Sequence, residues 1–163
     1  MRTTTRSAAL ALAALALCAS AQARDVKLLL PVAPVLAQPE TQKALGGTLV
    51  RFGAPPAASR PVPAVGTLVN ARSWARFTAS RNQLPDGRIV RLTDEETCML
   101  ALRYTLGDLV ATARDRGGQS VVDVVSNHEN TEMNSATEYQ CVAGSNSAIV
   151  TLRGRAAGPD GTP

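Results

Sequence analysis

The chain has 163 residues, with 17 Lys and Arg against 13 Asp and Glu for a formal net charge of +4. Only two Phe, two Tyr and one Trp are available for base stacking, which disfavours nucleic acid as a partner. The length suits one domain with a modest core.

Arg2 and Arg6 precede an uncharged Ala/Leu run from Ala8 to Leu17, followed by small residues, the pattern of a secretory signal peptide. Ala21-Gln22-Ala23 fits the small-x-small rule, so residues 1–23 are expected to leave by cleavage after Ala23, with Ala19-Ser20-Ala21 as second choice. The apolar run is shorter than the roughly 20 residues a bilayer span needs, and no transmembrane segment is expected in the mature chain. Cys18 suits lipid attachment, but Leu17 before it is larger than such processing prefers. The expected location is the periplasm or the exterior.

Residues 24–66 read as N-terminal strands and a Pro-rich connection. Val26 to Leu30 is an apolar run ending at Pro31, Thr41 to Leu45 suits one helical turn before Gly46-Gly47, and Thr48 to Phe52 reads as a second strand. Pro55, Pro56, Pro61 and Pro63 make Gly53 to Gly66 an exposed, extended loop.

Residues 67–154 read as an α+β core, one long helix packed on a small mixed or antiparallel sheet. In Leu68 to Thr78, Arg72, Trp74 and Arg76 alternate with Ala71, Ala75 and Phe77, which places the first three on one face of a strand. They are the candidate anionic-surface patch, with Trp74 as a cation–π centre or a sticky exposed ring. The plainer reading is an edge strand whose long side chains cover the sheet. Leu84-Pro85-Asp86-Gly87 signals a turn, from which Arg88 to Leu92 can return as a short strand.

Thr93 and Glu96 stand at capping-box spacing, Asp94 to Glu96 suit the positive helix end, and Arg114, Arg116 and Gly117 suit the other, predicting a helix over about 94–116. Cys98, Leu102, Leu106, Leu109 and Ala113 form its apolar stripe. Gly107 weakens it by about 1 kcal/mol relative to Ala, consistent with close backbone packing there. Gln119 to Asn127, apolar on both sides apart from Asp123, predicts a central strand. A polar loop from His128 to Ala136 and two strands around Gly144 to Ser147 complete the core, and residues 155–163 read as a disordered tail.

Two cysteines survive cleavage, and an oxidising compartment pairs thiols. Helical phase turns Cys98 inward, and strand phase does the same for Tyr139 and Cys141. A Cys98–Cys141 disulfide is therefore expected, closing a loop of about 44 residues for roughly 4 kcal/mol in the chain-entropy picture. The lone His128 and the absence of Cys-x-x-Cys argue against zinc and redox chemistry, and no cofactor is expected.

Charge is uneven along the chain. Arg51 to Arg91 holds seven Arg and one acid, a balance of +6, while Asp94 to Glu138 holds nine acids and three Arg, a balance of −6. The preferred reading is two parts of one domain that attract each other. The sharper one is that the Arg-rich part meets an anionic surface, such as phosphate-bearing lipid or cell-wall polymer.

Three segments carry a family resemblance: Asp94-Glu-Glu-Thr-Cys98, Ala113 to Val122 with its Gly117-Gly118 turn, and Thr137-Glu-Tyr-Gln-Cys141 followed by Ala143-Gly144. Residues 90–154 are similar to a family of small exported proteobacterial proteins often labelled "excinuclease ATPase subunit". They resemble, more distantly, the YbjQ-type domain and the disulfide-stapled Rcs envelope-stress lipoproteins. A nucleotide-binding subunit needs Gly-x-x-x-x-Gly-Lys-Ser/Thr to hold phosphates, and the chain has none, so excinuclease or ATPase activity has no motif to rest on. The resemblance implies a non-enzymatic module that senses or binds an envelope component or protein. Where the family usually has an aromatic and basic stretch, this chain has Asn127-His128-Glu129-Asn130. The alternative function is a metal-binding or hydrolytic protein whose candidate ligands are His128, Glu129 and Glu132. Against it stands a solvated hairpin loop without the supporting shell that metal sites need.

Overall fold

The computed structural model describes residues 24–54, 67–78 and 83–159. The expected leader and cleavage site, most of the Pro-rich connection and the last residues of the chain lie outside the described residues. In chain order the elements are β1 (Val26–Pro31), α1 (Ala33–Leu36), α2 (Pro39–Leu45), β2 (Leu49–Phe52), β3 (Thr67–Arg76), α3 (Asp94–Asp115), β4 (Ser120–His128), β5 (Thr131–Met133), β6 (Glu138–Ala143) and β7 (Ser147–Ala157).

The long helix begins and ends as its sequence dictates. The Thr93 N–H donates to Glu96 Oε2 at 2.8 Å and the Glu96 N–H donates back to Thr93 Oγ1 at 3.2 Å, so two orphan donors of the first turn are satisfied reciprocally. At the other end Gly117, at φ +78°, donates to the Arg114 carbonyl while Gly118 donates to that of Ala113, both at 2.9 Å. This is a Schellman closure that needs the left-handed conformation glycine adopts without strain. Gly118 is also a point of close approach, since a Cβ there would lie 2.7 Å from the Ala156 Cβ.

The α+β class holds, with a sheet of seven strands that is larger than expected. Its main order is β1-β6-β7-β4-β2, with β3 on the far edge of β7 and β5 beside β4. Only β2 and β4 run parallel; the other pairings are antiparallel. The eleven-residue β7 is the axis. One of its edges pairs with all of β3, and the other pairs first with β6 and then with β4. β1 and β2 belong to this same sheet, so the N-terminal stretch is part of the core. β7 continues to Ala157, where the sequence suggested a disordered tail, because Arg155 and Ala156 find partners on both β3 and β4.

Helix α3 lies across one face of the sheet. Its stripe of Cys98, Leu102, Leu106, Leu109 and Ala113 is fully buried, against Val69, Val150, Leu152 and their neighbours. Ser73 donates to the Asp108 carboxylate, pinning β3 to the helix, and the Arg114 guanidinium reaches the Leu45 carbonyl at 2.8 Å and Thr48 Oγ1 at 2.7 Å, fixing the α2–β2 turn. Gly107 faces Ala44, but a Cβ there would sit 3.9 Å from the Ala44 Cβ. That is ordinary contact, so packing does not demand the glycine.

Two strand expectations need correction. Arg88 to Leu92 does not return as a strand. The Leu84–Gly87 turn closes by the Gly87 N–H on the Leu84 carbonyl at 2.9 Å, but beyond it the described residues form an isolated Gln83–Ile89 bridge and one bond from the Leu92 N–H to the Phe77 carbonyl, not a ladder. The turn is held locally: the Arg88 backbone N–H and guanidinium keep the Asp86 carboxyl below the usual carboxylate range. Conversely, the polar loop after His128 is a tight hairpin. Glu129 and Asn130, at φ +52° and +61°, make a two-residue turn whose twist suits the flanking strands β4 and β5.

Tyr139 is fully buried beneath the helix, and its hydroxyl has no hydrogen-bond partner among the described residues. Burial, reinforced by the negative charge of Glu95, pushes its ionisation far above the ordinary tyrosine range. The stability tied to the neutral phenol is therefore present in full below about pH 10, the unfolded value, and is lost as pH rises beyond it. Tyr139→Phe removes both the ionisation and an unsatisfied buried group. Urea unfolding should find the variant at least as stable as wild type at neutral pH and less weakened at about pH 11.

The open face of the sheet as a candidate functional site

Alternation along β3 sends Val69, Ala71, Ser73 and Ala75 to the helix and leaves Leu68, Asn70, Arg72, Trp74 and Arg76 on the opposite face. Pairing extends this face across the sheet, with Trp74 opposite Ile149, Arg72 opposite Thr151, Asn70 opposite Arg153 and Leu68 opposite Arg155. The face predicted for Arg72, Trp74 and Arg76 is thus the observed one. Trp74 is 63% exposed, so it is not a ring buried under its neighbours. Among the described residues the cation–π contacts lie elsewhere: Arg91 stands 4.4 Å from the Phe77 ring centroid and Arg103 5.4 Å from that of Tyr104.

The four arginines that β3 and β7 place on this face divide into two groups. Arg153 pairs with Glu132, and Arg155 Nε lies 3.9 Å from an Asp123 carboxylate oxygen. Asp123 reaches that position from a bulge in β4, at φ +55°, where the register against β7 shifts between Val122 and Val125. Arg72 and Arg76 have no ion pair among the described residues. The expected attraction between the Arg-rich and acid-rich stretches is likewise not realised as ion pairs among the described residues. The acids Asp94, Asp123 and Glu132 take Arg24, Arg155 and Arg153, which lie outside the Arg-rich stretch.

Beside Arg72 the face opens into a groove of about 800 Å³, lined by Asn70, Arg72 and Thr151 on the floor and by Asn127, His128 and Glu129 on the wall. The two candidate regions of the sequence, far apart in the chain, meet here. The wall comes from the β4–β5 hairpin. All three non-glycine residues with positive φ among those described, Asp123, Glu129 and Asn130, lie in β4 or its turn and border this groove or the adjoining hollow around Arg153. Local strain concentrates where structure is built for a purpose.

The proposed metal ligands do not assemble. In the hairpin Asn127 faces Glu132 and His128 faces Thr131, so Glu132 and His128 project from alternate faces. Glu132 is engaged by Arg153, and the His128 Nε2 lies 3.8 Å from a Glu129 carboxylate oxygen. Among the described residues no three His, Cys, Asp or Glu side chains come together as a metal site.

Cys98, in the first turns of α3, and Cys141, on β6, lie at disulfide distance, with Cα atoms 5.9 Å apart, on the helix-covered side of the sheet. Among the described residues no helix is long and apolar enough to cross a membrane. Compared with protein-family models, curated proteins and solved structures, the chain matches none.

Proposed function

We propose that the chain is an exported, non-enzymatic envelope domain that binds an anionic partner through the open face of its sheet. One observation carries this reading: Arg72 and Arg76 flank an exposed Trp74 on a single strand face without a carboxylate among the described residues, while Arg153 and Arg155 on the neighbouring strand β7 are neutralised. Unpaired exposed cations beside an aromatic ring attract anions at long range and hold them by contact. Export is supported by the leader pattern, and an oxidising compartment by the two cysteines at disulfide distance. The resemblance to exported envelope proteins points the same way.

The test uses two anionic probes that share only charge, phosphatidylglycerol vesicles and soluble polyglutamate. The mature chain should bind at least one of them, and binding should fall as salt rises, since screening shortens the reach of exposed charge to about 8 Å at physiological ionic strength. At about 1 kcal/mol per basic residue near an anionic surface, the Arg72→Gln/Arg76→Gln variant should bind vesicles about thirtyfold more weakly. Salt-independent binding, or none to either probe, overturns the reading.

A further inference from the structure

Among the described residues, strand β3 pairs along one side, with β7. In an antiparallel pair alternate residues turn their backbone groups toward the partner and away from it. The Phe77 N–H bonds to the Asn146 carbonyl beyond the end of β7, and the outward Leu68 carbonyl is instead taken by the Arg116 guanidinium. Odd-numbered residues of β3 therefore face β7, and even-numbered ones face the open edge. Along that edge the backbone N–H and C=O groups of Asn70, Arg72 and Trp74 have no partner among the described residues.

A ten-residue edge strand in unbroken register is a template for one more strand. Its side chains select what adds. Arg72, Trp74 and Arg76 share one face at alternate positions, so an added strand sets its own alternate side chains beside them. A second copy of β3 would bring four guanidinium groups into one short ribbon, which like-charge repulsion opposes.

Resting on the anionic-partner reading above, we infer that the partner is an extended acidic polypeptide segment that adds to the sheet along β3. Its pattern is acid-x-apolar-x-acid, the acids beside Arg72 and Arg76 and the apolar residue beside Trp74. Backbone bonds to Asn70, Arg72 and Trp74 supply affinity, and the alternate side chains supply selectivity.

Trp74 is the chain's single tryptophan, so its fluorescence reports on this edge directly. The probe is the capped heptapeptide Thr-Glu-Thr-Val-Thr-Glu-Thr, and the control is the same sequence N-methylated at every residue after the first, which keeps the charge and the side chains but leaves no N–H to donate to the edge in either strand direction. The first peptide should bind at least about tenfold more tightly, because only it can complete the ladder. It should also protect the Arg72 and Trp74 amides from hydrogen exchange, and Arg72→Gln/Arg76→Gln should weaken it. Equal binding of the two peptides, or binding to vesicles with neither peptide bound, overturns the added strand and leaves the anionic reading standing. A dimer in sedimentation, with those amides protected in the absence of peptide, overturns it in favour of a second copy. Failure of peptides, polyglutamate and vesicles alike overturns both.

Discussion

Breaking the Cys98–Cys141 link is expected to cost about 2–5 kcal/mol, the usual loss for a native disulfide in a small exported domain. The two positions are separated by 43 residues, and their Cα atoms lie 5.9 Å apart, inside the range a disulfide spans without backbone movement. Both side chains are buried, Cys98 fully and Cys141 to within 1%. The bridge ties the first turns of α3 to β6, elements otherwise joined through β7, so its loss frees one end of the helix from the sheet. At roughly 3–5 °C per kcal/mol for a domain of this size, reduction should lower Tm by about 6 to 25 °C. Thiol titration of the unfolded, unreduced protein should find no free thiol. Two free thiols, with a Tm indifferent to reductant, would mean that the pair is simply two buried apolar side chains.

Leu106→Ala is expected to be comparably severe, at about 2–5 kcal/mol. Leu106 is fully buried, midway along the α3 stripe where the helix crosses the sheet. Truncation removes its transfer energy and leaves a cavity whose walls belong to a helix and a sheet that cannot both relax into it. Leu29→Ala is the control, since Leu29 on β1 is 55% exposed and its loss should change stability by no more than about 0.5 kcal/mol. Urea midpoints at unchanged slope measure both. Similar costs at the two positions would contradict the core described for α3.

The elements that local chemistry specifies were legible in the sequence. The capping box at Thr93 and Glu96, the Gly117-Gly118 stop and the stripe from Cys98 to Ala113 need only residues within a few positions of one another, and each appears as read. The alternation of Arg72, Trp74 and Arg76 was legible for the same reason. Long-range pairing left no such signal. Nothing near Trp74 announces Ile149 as its neighbour, and nothing near His128 places it across a groove from Arg72. Arg153 and Arg155 read as the end of a last strand and the start of a tail, and their pairing with Glu132 and Asp123 depends on that same register. The Glu129-Asn130 turn was missed because it lacks the glycine that usually marks such a bend.

That reliance on distant pairing also governs when the molecule can form. The register joins Val26 to Ala143 and Thr67 to Ala156, so the earliest strands have no neighbour until nearly the whole chain exists. Loop closure must be achieved before such contacts stabilise anything, which makes topologies of this kind slow to fold. Until the last strands exist only β2, β4 and β5 can pair among the described residues, and the axis on which β3, β4 and β6 meet is still missing. The sheet closes only when β6 and β7 are made, and the partner of Cys98 arrives with β6.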